Sequence, residues 1–388
     1  MRIGLDARYI QNRYHGIGRY AFELLRGLSR VGPQHTYVVF WNPNLPNSRF
    51  DLRPQLEHPR IEAVAYGVPL YHPQDQFLLP ILARRHRLDL FHVPYFAAPL
   101  LVPCPLVLTI HDLILDRYPA YMPSGWARRY YRTMMQLGVR RASGVVVVSE
   151  ATRRDLVAHY HTQESKVVVA PLAADAGFRP VGEAEIAAVR QRYRVPDFFI
   201  LHVGARRPHK NIEALVRALA RIRDQVPHAL VLVGEWDRRV PDPVPALVRQ
   251  LGLEERIIEI KAVQEADLPA LYGASTACVV PSLIEGFGLP VLEAFSCGVP
   301  VVTSNCSSMP EVAGDAALLV DPNSDESLAA SLLKVLTMPG LRESLRERGL
   351  AQAARFTWER TASQTLALYQ AIGQHKIGRQ SAAPAGPA

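Results

Sequence analysis

Glu285 and Glu293 stand in the run Pro281-Ser282-Leu283-Ile284-Glu285-Gly286-Phe287-Gly288-Leu289-Pro290-Val291-Leu292-Glu293, with seven residues between the two carboxylates. An apolar strand-like segment, Ala277 to Val280, precedes the run, and an apolar helix-like segment follows it. A strand, a glycine turn and a helix start make an anion-binding corner, because the amides of the first helical turn lack partners and the helix dipole favours negative charge there. Gly286 and Gly288, on either side of Phe287 and just before Leu289, let a phosphate approach the backbone closely. Glu285 lies in the turn and can reach what is attached to the phosphate. Glu293 lies about two turns into the helix, where ribose hydroxyls can be held. A carboxylate at each end of a diphosphate site suggests a sugar nucleotide.

Three further constellations carry candidate chemistry. Gly204-Ala205-Arg206-Arg207-Pro208-His209-Lys210-Asn211 follows a strand-like run and precedes a helix. Cations at a helix start oppose the dipole unless they serve an anion, so this loop reads as a diphosphate contact. Thr109-Ile110-His111-Asp112 ends an apolar run, and the carboxyl end of a strand in an open α/β sheet faces the ligand crevice. Tyr14-His15-Gly16-Ile17-Gly18-Arg19-Tyr20 follows the first strand and opens the first helix, placing Gly16 and Gly18 where backbone amides can meet a phosphate or an acceptor. It is not the dinucleotide fingerprint, since no third glycine follows at the required place.

The glutamate run resembles the E-x7-E signature of glycosyltransferase family 4, retaining enzymes of the GT-B architecture. The resemblance extends through Gly298-Val299-Pro300-Val301-Val302, Ser307-Ser308-Met309-Pro310-Glu311-Val312 and Gly314-Asp315-Ala316-Ala317 to Asp321-Pro322. It implies an α/β fold of two Rossmann-like domains facing each other across a cleft. It also implies a catalytic set of Glu285, His111, Lys210 and Arg206, with a donor contact from Val263 near the base. In the family an Arg follows the loop glycine directly and a Lys comes five residues later. Lys210 matches the Lys, whereas Ala205 stands where the Arg belongs, so Arg206, Arg207 or His209 is expected to supply the missing charge. The runs around Ser308 to Val312 and Pro208 to Asn211 look most like bacterial mannosyltransferases of polysaccharide assembly. The implied donor is GDP-mannose, with UDP-glucose or another nucleotide sugar as the alternative and a non-catalytic nucleotide-sugar binder as a further one. A sugar-nucleotide epimerase resembles the chain less at the glutamate run, and a phosphorylase would need a phosphate or pyridoxal site that the sequence does not show. No D-x-D metal motif is present, so neither metal nor other cofactor is expected, and fixed cations would neutralise the leaving diphosphate.

These residues need a scaffold of alternating strands and helices. Short apolar runs at 2–5, 36–41, 88–93, 106–110 and 145–149 suit a parallel sheet, and a second series follows at 198–203, 229–233, 257–260, 277–280 and 299–303. With 388 residues, two domains are expected: residues 1–175 for the acceptor and 176–357 for the nucleotide sugar. A terminal helix over 358–375 is expected to pack back on the first domain, and the Pro-rich tail 378–388 to be disordered. The four cysteines have no metal-ligand spacing and read as buried thiols of a reducing compartment, hence the cytoplasm. No apolar run is long enough to span a membrane.

Charge is uneven. Residues 1–180 hold 22 Lys and Arg against 13 Asp and Glu, a net +9, while residues 181–388 hold 22 against 23, a net −1. The basic half suggests an anionic partner, and no nucleic-acid recognition motif accompanies it. Within it, 124–141 combines Trp126, Tyr130, Tyr131, Met134, Met135 and Leu137 with Arg128, Arg129, Arg132, Arg140 and Arg141. Such a helix reads either as a peripheral contact with an anionic membrane or as an ordinary helix packed on a sheet with arginines solvating its outer face. The expected partners are therefore a nucleotide-sugar donor, a saccharide or lipid-linked acceptor, and the inner face of the cell membrane.

Overall fold

A computed structural model describes residues 1–12 and 15–381. The chain divides into two compact units. The first comprises Met1–Leu113, Ser124–Leu172 and the chain from Trp358 onward; the second comprises Ile114–Pro123 and Ala173–Thr357. The ten-residue segment 114–123, which the alternation of elements assigns to the first domain, thus belongs to the second unit.

The first unit is built on β1 (Arg2–Asp6), β2 (Thr36–Trp41), β3 (Ile61–Ala65), β4 (Leu90–Val93), β5 (Leu106–Ile110), β6 (Gly144–Val147) and β7 (Val167–Val169). All pair in parallel, in the order β3-β2-β1-β4-β5-β6-β7. The second unit carries β8 (Phe199–Val203), β9 (Ala229–Val233), β10 (Ile257–Ile260), β11 (Ala277–Val280), β12 (Val301–Ser304) and β13 (Ala317–Val320), in the order β10-β9-β8-β11-β12-β13. Central strands such as β5, β9 and β11 are buried throughout and are continuous apolar runs, as a sheet covered by helices on both faces requires. In both sheets the order reverses beside the first strand, at β1/β4 and at β8/β11. Connections leave those neighbouring strands toward opposite faces, which opens a crevice at their carboxyl ends.

The terminal helix runs Trp358–Ser381 and lies on the first unit. Gly27 of the first helix, His15–Val31, lets it approach: a Cβ there would stand 2.7 Å from Ala362 Cβ and 3.2 Å from Trp358 O. Tyr369 reaches His92 Nδ1 at 2.5 Å, His92 Nε2 meets Thr109 Oγ1 at 2.8 Å, and Tyr20 OH meets the same hydroxyl at 2.7 Å. This buried polar chain ties the helix to β4 and β5. Residues 378–381, expected as disordered tail, continue the helix, and 382–388 lie outside the described residues.

A second polar knot holds the loop after β1. Arg8 is buried between Asp6, at 2.7 Å, and Asp75, at 3.0 Å, and Tyr66 OH donates to Asp75 Oδ1 at 2.9 Å. Removing one member of a buried ion cluster leaves an uncompensated charge. Arg8→Ala is therefore expected to destabilise the first unit by about 3–5 kcal/mol, read as a lower urea midpoint for its transition. An unchanged midpoint would show that the two carboxylates need no counter-ion.

Candidate functional site

The second unit's crevice lies at β8/β11, and both candidate loops start there. The β8 loop runs from Gly204 to Asn211, and the β11 turn from Pro281 to Gly288. Leu283 N–H donates to His209 O at 2.8 Å, and Asn211 Nδ2 donates to Pro281 O at 3.2 Å, so the loops are stitched together. The stitching brings Lys210 Nζ to 2.5 Å from Glu285 Oε1. Ser282 Oγ donates to the same oxygen at 2.7 Å. Burial alone would raise the Glu285 pKa, but the Lys210 charge and the two hydrogen bonds outweigh it and hold the carboxyl below its ordinary value. Glu285 is thus an anion with one oxygen committed, and Oε2 takes no hydrogen bond among the described residues.

The turn's carbonyls are fastened from behind. Ser307 Oγ accepts from Glu285 N–H at 3.1 Å and donates to Glu285 O at 2.8 Å; Ser308 Oγ lies 3.1 Å from Glu285 O and 2.8 Å from Phe287 O. With the carbonyls engaged, the amides of Phe287 and Gly288 remain without a partner among the described residues, just before the helix Leu289–Ser296. Gly288 caps that helix at φ +109, a backbone conformation that favours glycine, and a Cβ there would displace the Met309 methyl, 2.3 Å away. Glu293 lies on the same helix, is buried, and accepts from Tyr272 OH at 2.9 Å.

The β8 loop distributes its cations differently from the expectation. Gly204 (φ +149) begins it, and Gly234 (φ +121) leaves room for it, because a Cβ at 234 would meet Gly204 O at 2.2 Å. Arg206 is buried and does not join Lys210: its Nε donates to Gly234 O at 3.0 Å and its Nη2 to Glu259 Oε2 at 2.8 Å. It clamps the β8 loop to β9 and β10, because the loops after β8 and β9 pair through Arg206 N–H to Glu235 O. Arg207 pairs with Asp237 at 3.0 Å and lies over the Tyr121 ring. His209 is buried; its N–H donates to Tyr121 OH, whose own proton goes to Nδ1 at 3.0 Å. Burial and the Lys210 charge push the His209 pKa down to about 4, so it is neutral at pH 7. Ala205 is exposed. Of this loop's cations, Lys210 is the one paired with Glu285, whereas Arg206 and Arg207 pair with Glu259 and Asp237. Val263 is half-buried, just past β10.

Tyr121, Ser282, Ser307, Ser308 and Tyr272 had not been singled out as site residues. Ser307 and Ser308 stood within the family-like run, so their signal was present. Tyr121 lies in the 114–123 segment, and nothing local in the sequence tells that it crosses to the second unit.

In the first unit, His111 follows β5. Nε2–H donates to Pro94 O at 3.0 Å, and the ring packs edge-on to Tyr20 at 4.9 Å. Burial lowers its pKa to about 4, which leaves a neutral imidazole whose Nδ1 is an acceptor. Gly16 sits in the first turn of its helix with open space where a side chain would lie. Gly18 has a packing role, since a Cβ there would stand 2.8 Å from Tyr9 O. Tyr14, of the same run, lies outside the described residues.

Two doubly wound parallel units are the components of the GT-B architecture. The model "Glycosyltransferase Family 4" matches residues 14–178 and "Glycosyl transferases group 1" matches residues 186–352. The chain is 32% identical over 393 residues to the O-antigen chain mannosyltransferase B of Escherichia coli, covering 96% of this chain and 100% of that one. It is 29% identical to a serotype-specific mannosyltransferase WbdA of Escherichia coli, over 67% of this chain and 33% of that one. Sucrose-phosphate synthase from Thermosynechococcus elongatus shares the fold, with a TM-score of 0.75 at 22% identity over 97% of this chain and 100% of that one. The chain belongs to glycosyltransferase family 4.

Because the folded pKa of Glu285 lies below its ordinary 4.5, the Lys210–Glu285 pair contributes fully to stability above that value. The contribution is lost as pH falls through the folded pKa. Glu285→Gln is expected to lower the thermal midpoint at pH 7 and to converge on the wild type as pH falls below 4.5 and through the folded pKa. Parallel curves across that range would rule out a stabilising pair.

Proposed function

We propose that the protein transfers mannose from GDP-mannose, with retention of configuration, to a saccharide or lipid-linked saccharide in bacterial polysaccharide assembly. The Lys210–Glu285 pair at the β8/β11 crevice carries this reading: one cation and one half-committed carboxylate meet beside two unpartnered amides. The O-antigen chain mannosyltransferase supports the choice of sugar and pathway class.

The donor diphosphate lies on Lys210 and the amides of Phe287 and Gly288, where the helix dipole adds to the attraction. Lys210 is then shared between Glu285 and the phosphate. Glu285 Oε2 accepts from a hydroxyl of the transferred sugar and fixes the ring. Glu293, oriented by Tyr272, holds the ribose hydroxyls. Val263 borders the base.

As the bond from the anomeric carbon to the phosphate oxygen breaks, negative charge grows on the diphosphate. Groups already in place stabilise it without reorganising. The acceptor oxygen attacks the same face of the sugar, and its proton passes to the leaving phosphate. His111 offers a neutral acceptor nitrogen to a sugar hydroxyl. Fixed cation and amides do the work of neutralisation, so transfer proceeds without a divalent metal. We place the enzyme in the cytoplasm, where nucleotide sugars are made available. Among the described residues no helix is long and apolar enough to cross a membrane.

Glu285→Ala is expected to reduce mannosyl transfer at least a hundredfold while GDP affinity changes only a few-fold; wild-type turnover would remove Glu285 from the reaction. Lys210→Ala is expected to weaken GDP binding by about 1.5–3 kcal/mol, the range for a charge-assisted contact. An unchanged dissociation constant would show that the lysine serves Glu285 alone. Proton NMR of the first-formed product is expected to show the donor's anomeric configuration, with and without EDTA.

A further inference from the structure

Ten large hydrophobic side chains are exposed among the described residues, and seven of them fall on one region of the first unit. Phe77, Leu78 and Ile81 lie on the helix Asp75–Arg85, with Phe77 65% and Ile81 62% exposed. At 100° per residue these three and the exposed Arg84 and Arg85 share one face. On the helix Gly125–Arg141, Trp126 (82% exposed), Tyr130 and Leu137 make one stripe, and the exposed Arg129 and Arg140 run beside it. Leu101, 63% exposed, projects from the loop between.

The three pieces are mechanically joined. Gln76 of the first helix donates to Ala98 O at 2.9 Å and accepts from Leu100 N–H at 2.8 Å. Arg141, at the end of the second helix, donates to Leu100 O at 3.1 Å and to Val102 O at 2.8 Å. The opposite face of the second helix is committed to the sheet through Tyr131, Met134, Met135 and Val139, all buried. Packing on the sheet therefore accounts for half of that helix and leaves its aromatic stripe unexplained.

Charge decides what covers the region. The only carboxylate on either helix is Asp75, and it is buried on Arg8. The exposed charges beside the two apolar stripes are all arginine: Arg84, Arg85, Arg129 and Arg140. A second copy laid on this face by two-fold symmetry would set arginines against arginines. An anionic bilayer meets both features, with phosphates at the guanidinium groups and apolar side chains below the headgroups.

We propose that these two helices and the Leu101 loop form one docking surface for an anionic phospholipid membrane, with both helices lying flat in the interface. The inference deepens the proposed function by placing the enzyme where a lipid-linked acceptor resides. It does not depend on the donor assignment.

The test is flotation of the full-length protein with vesicles of phosphatidylcholine alone or with phosphatidylglycerol. The wild type is expected to float with the anionic vesicles, and weakly with the neutral ones. Arg129→Ser/Arg140→Ser should weaken anionic-vesicle binding by about thirtyfold, from the typical contribution of a basic residue near such a surface. Phe77→Ser/Ile81→Ser, on the other helix, should also weaken it, while GDP binding and thermal midpoint stay at wild-type values in both variants. No phosphatidylglycerol-dependent flotation of the wild type, or wild-type flotation of both variants, would overturn the proposal. So would light scattering that shows a dimer which Phe77→Ser/Ile81→Ser dissociates, since the face would then be a self-interface. Loss of vesicle binding with intact GDP binding separates this surface from the nucleotide site.

Discussion

Lys210 and Glu285 lie 75 residues apart in the chain and meet at 2.5 Å. A carboxylate held away from water is costly unless a cation and hydrogen bonds satisfy it, and here one lysine and one serine do so on a single oxygen. The meeting is a consequence of topology. β8 and β11 are neighbours only because the strand order reverses between them, and that reversal puts the two following loops side by side. Everything else around the site serves to keep the pair in register: the Leu283–His209 bond, Asn211 on Pro281, and the serine clamp behind the turn.

The same logic separates residues that hold the site from residues that offer it to a ligand. Arg206 looks like a phosphate contact in sequence, yet its Nε and Nη2 are engaged by Gly234 O and Glu259, away from Glu285. His209 is neutral and serves Tyr121. Beside Lys210, Glu285 Oε2 and the amides of Phe287 and Gly288 take no partner among the described residues.

Much of this was legible in the sequence. β2, β5, β9 and β11 carry the bounds that their apolar runs suggest, because buried parallel strands are apolar on both faces, and the edge strand β10 does so despite Glu259. β3, β7 and β13, at the edges of the sheets, were not read as strands: Glu62 interrupts β3, β7 is only three residues long, and β13 carried the apolar signal in its run Ala317–Val320. The glutamate run and Lys210 were visible because their loops are local. The partners of Arg206 and the crossing of Tyr121 were not, since each depends on contacts 53 and 88 residues away. The 124–141 segment was legible as amphipathic, and the structure divides it: Tyr131, Met134 and Met135 are core, while Trp126, Tyr130 and Leu137 are not. That division could not come from periodicity alone, because both groups are apolar.

Calorimetric titration of GDP into the wild-type protein, with magnesium and then with EDTA, tests the central claim most directly. The account predicts one site per chain, binding retained without metal, and a clear preference for GDP over UDP and ADP. Absence of binding by any of the three nucleotides would contradict it.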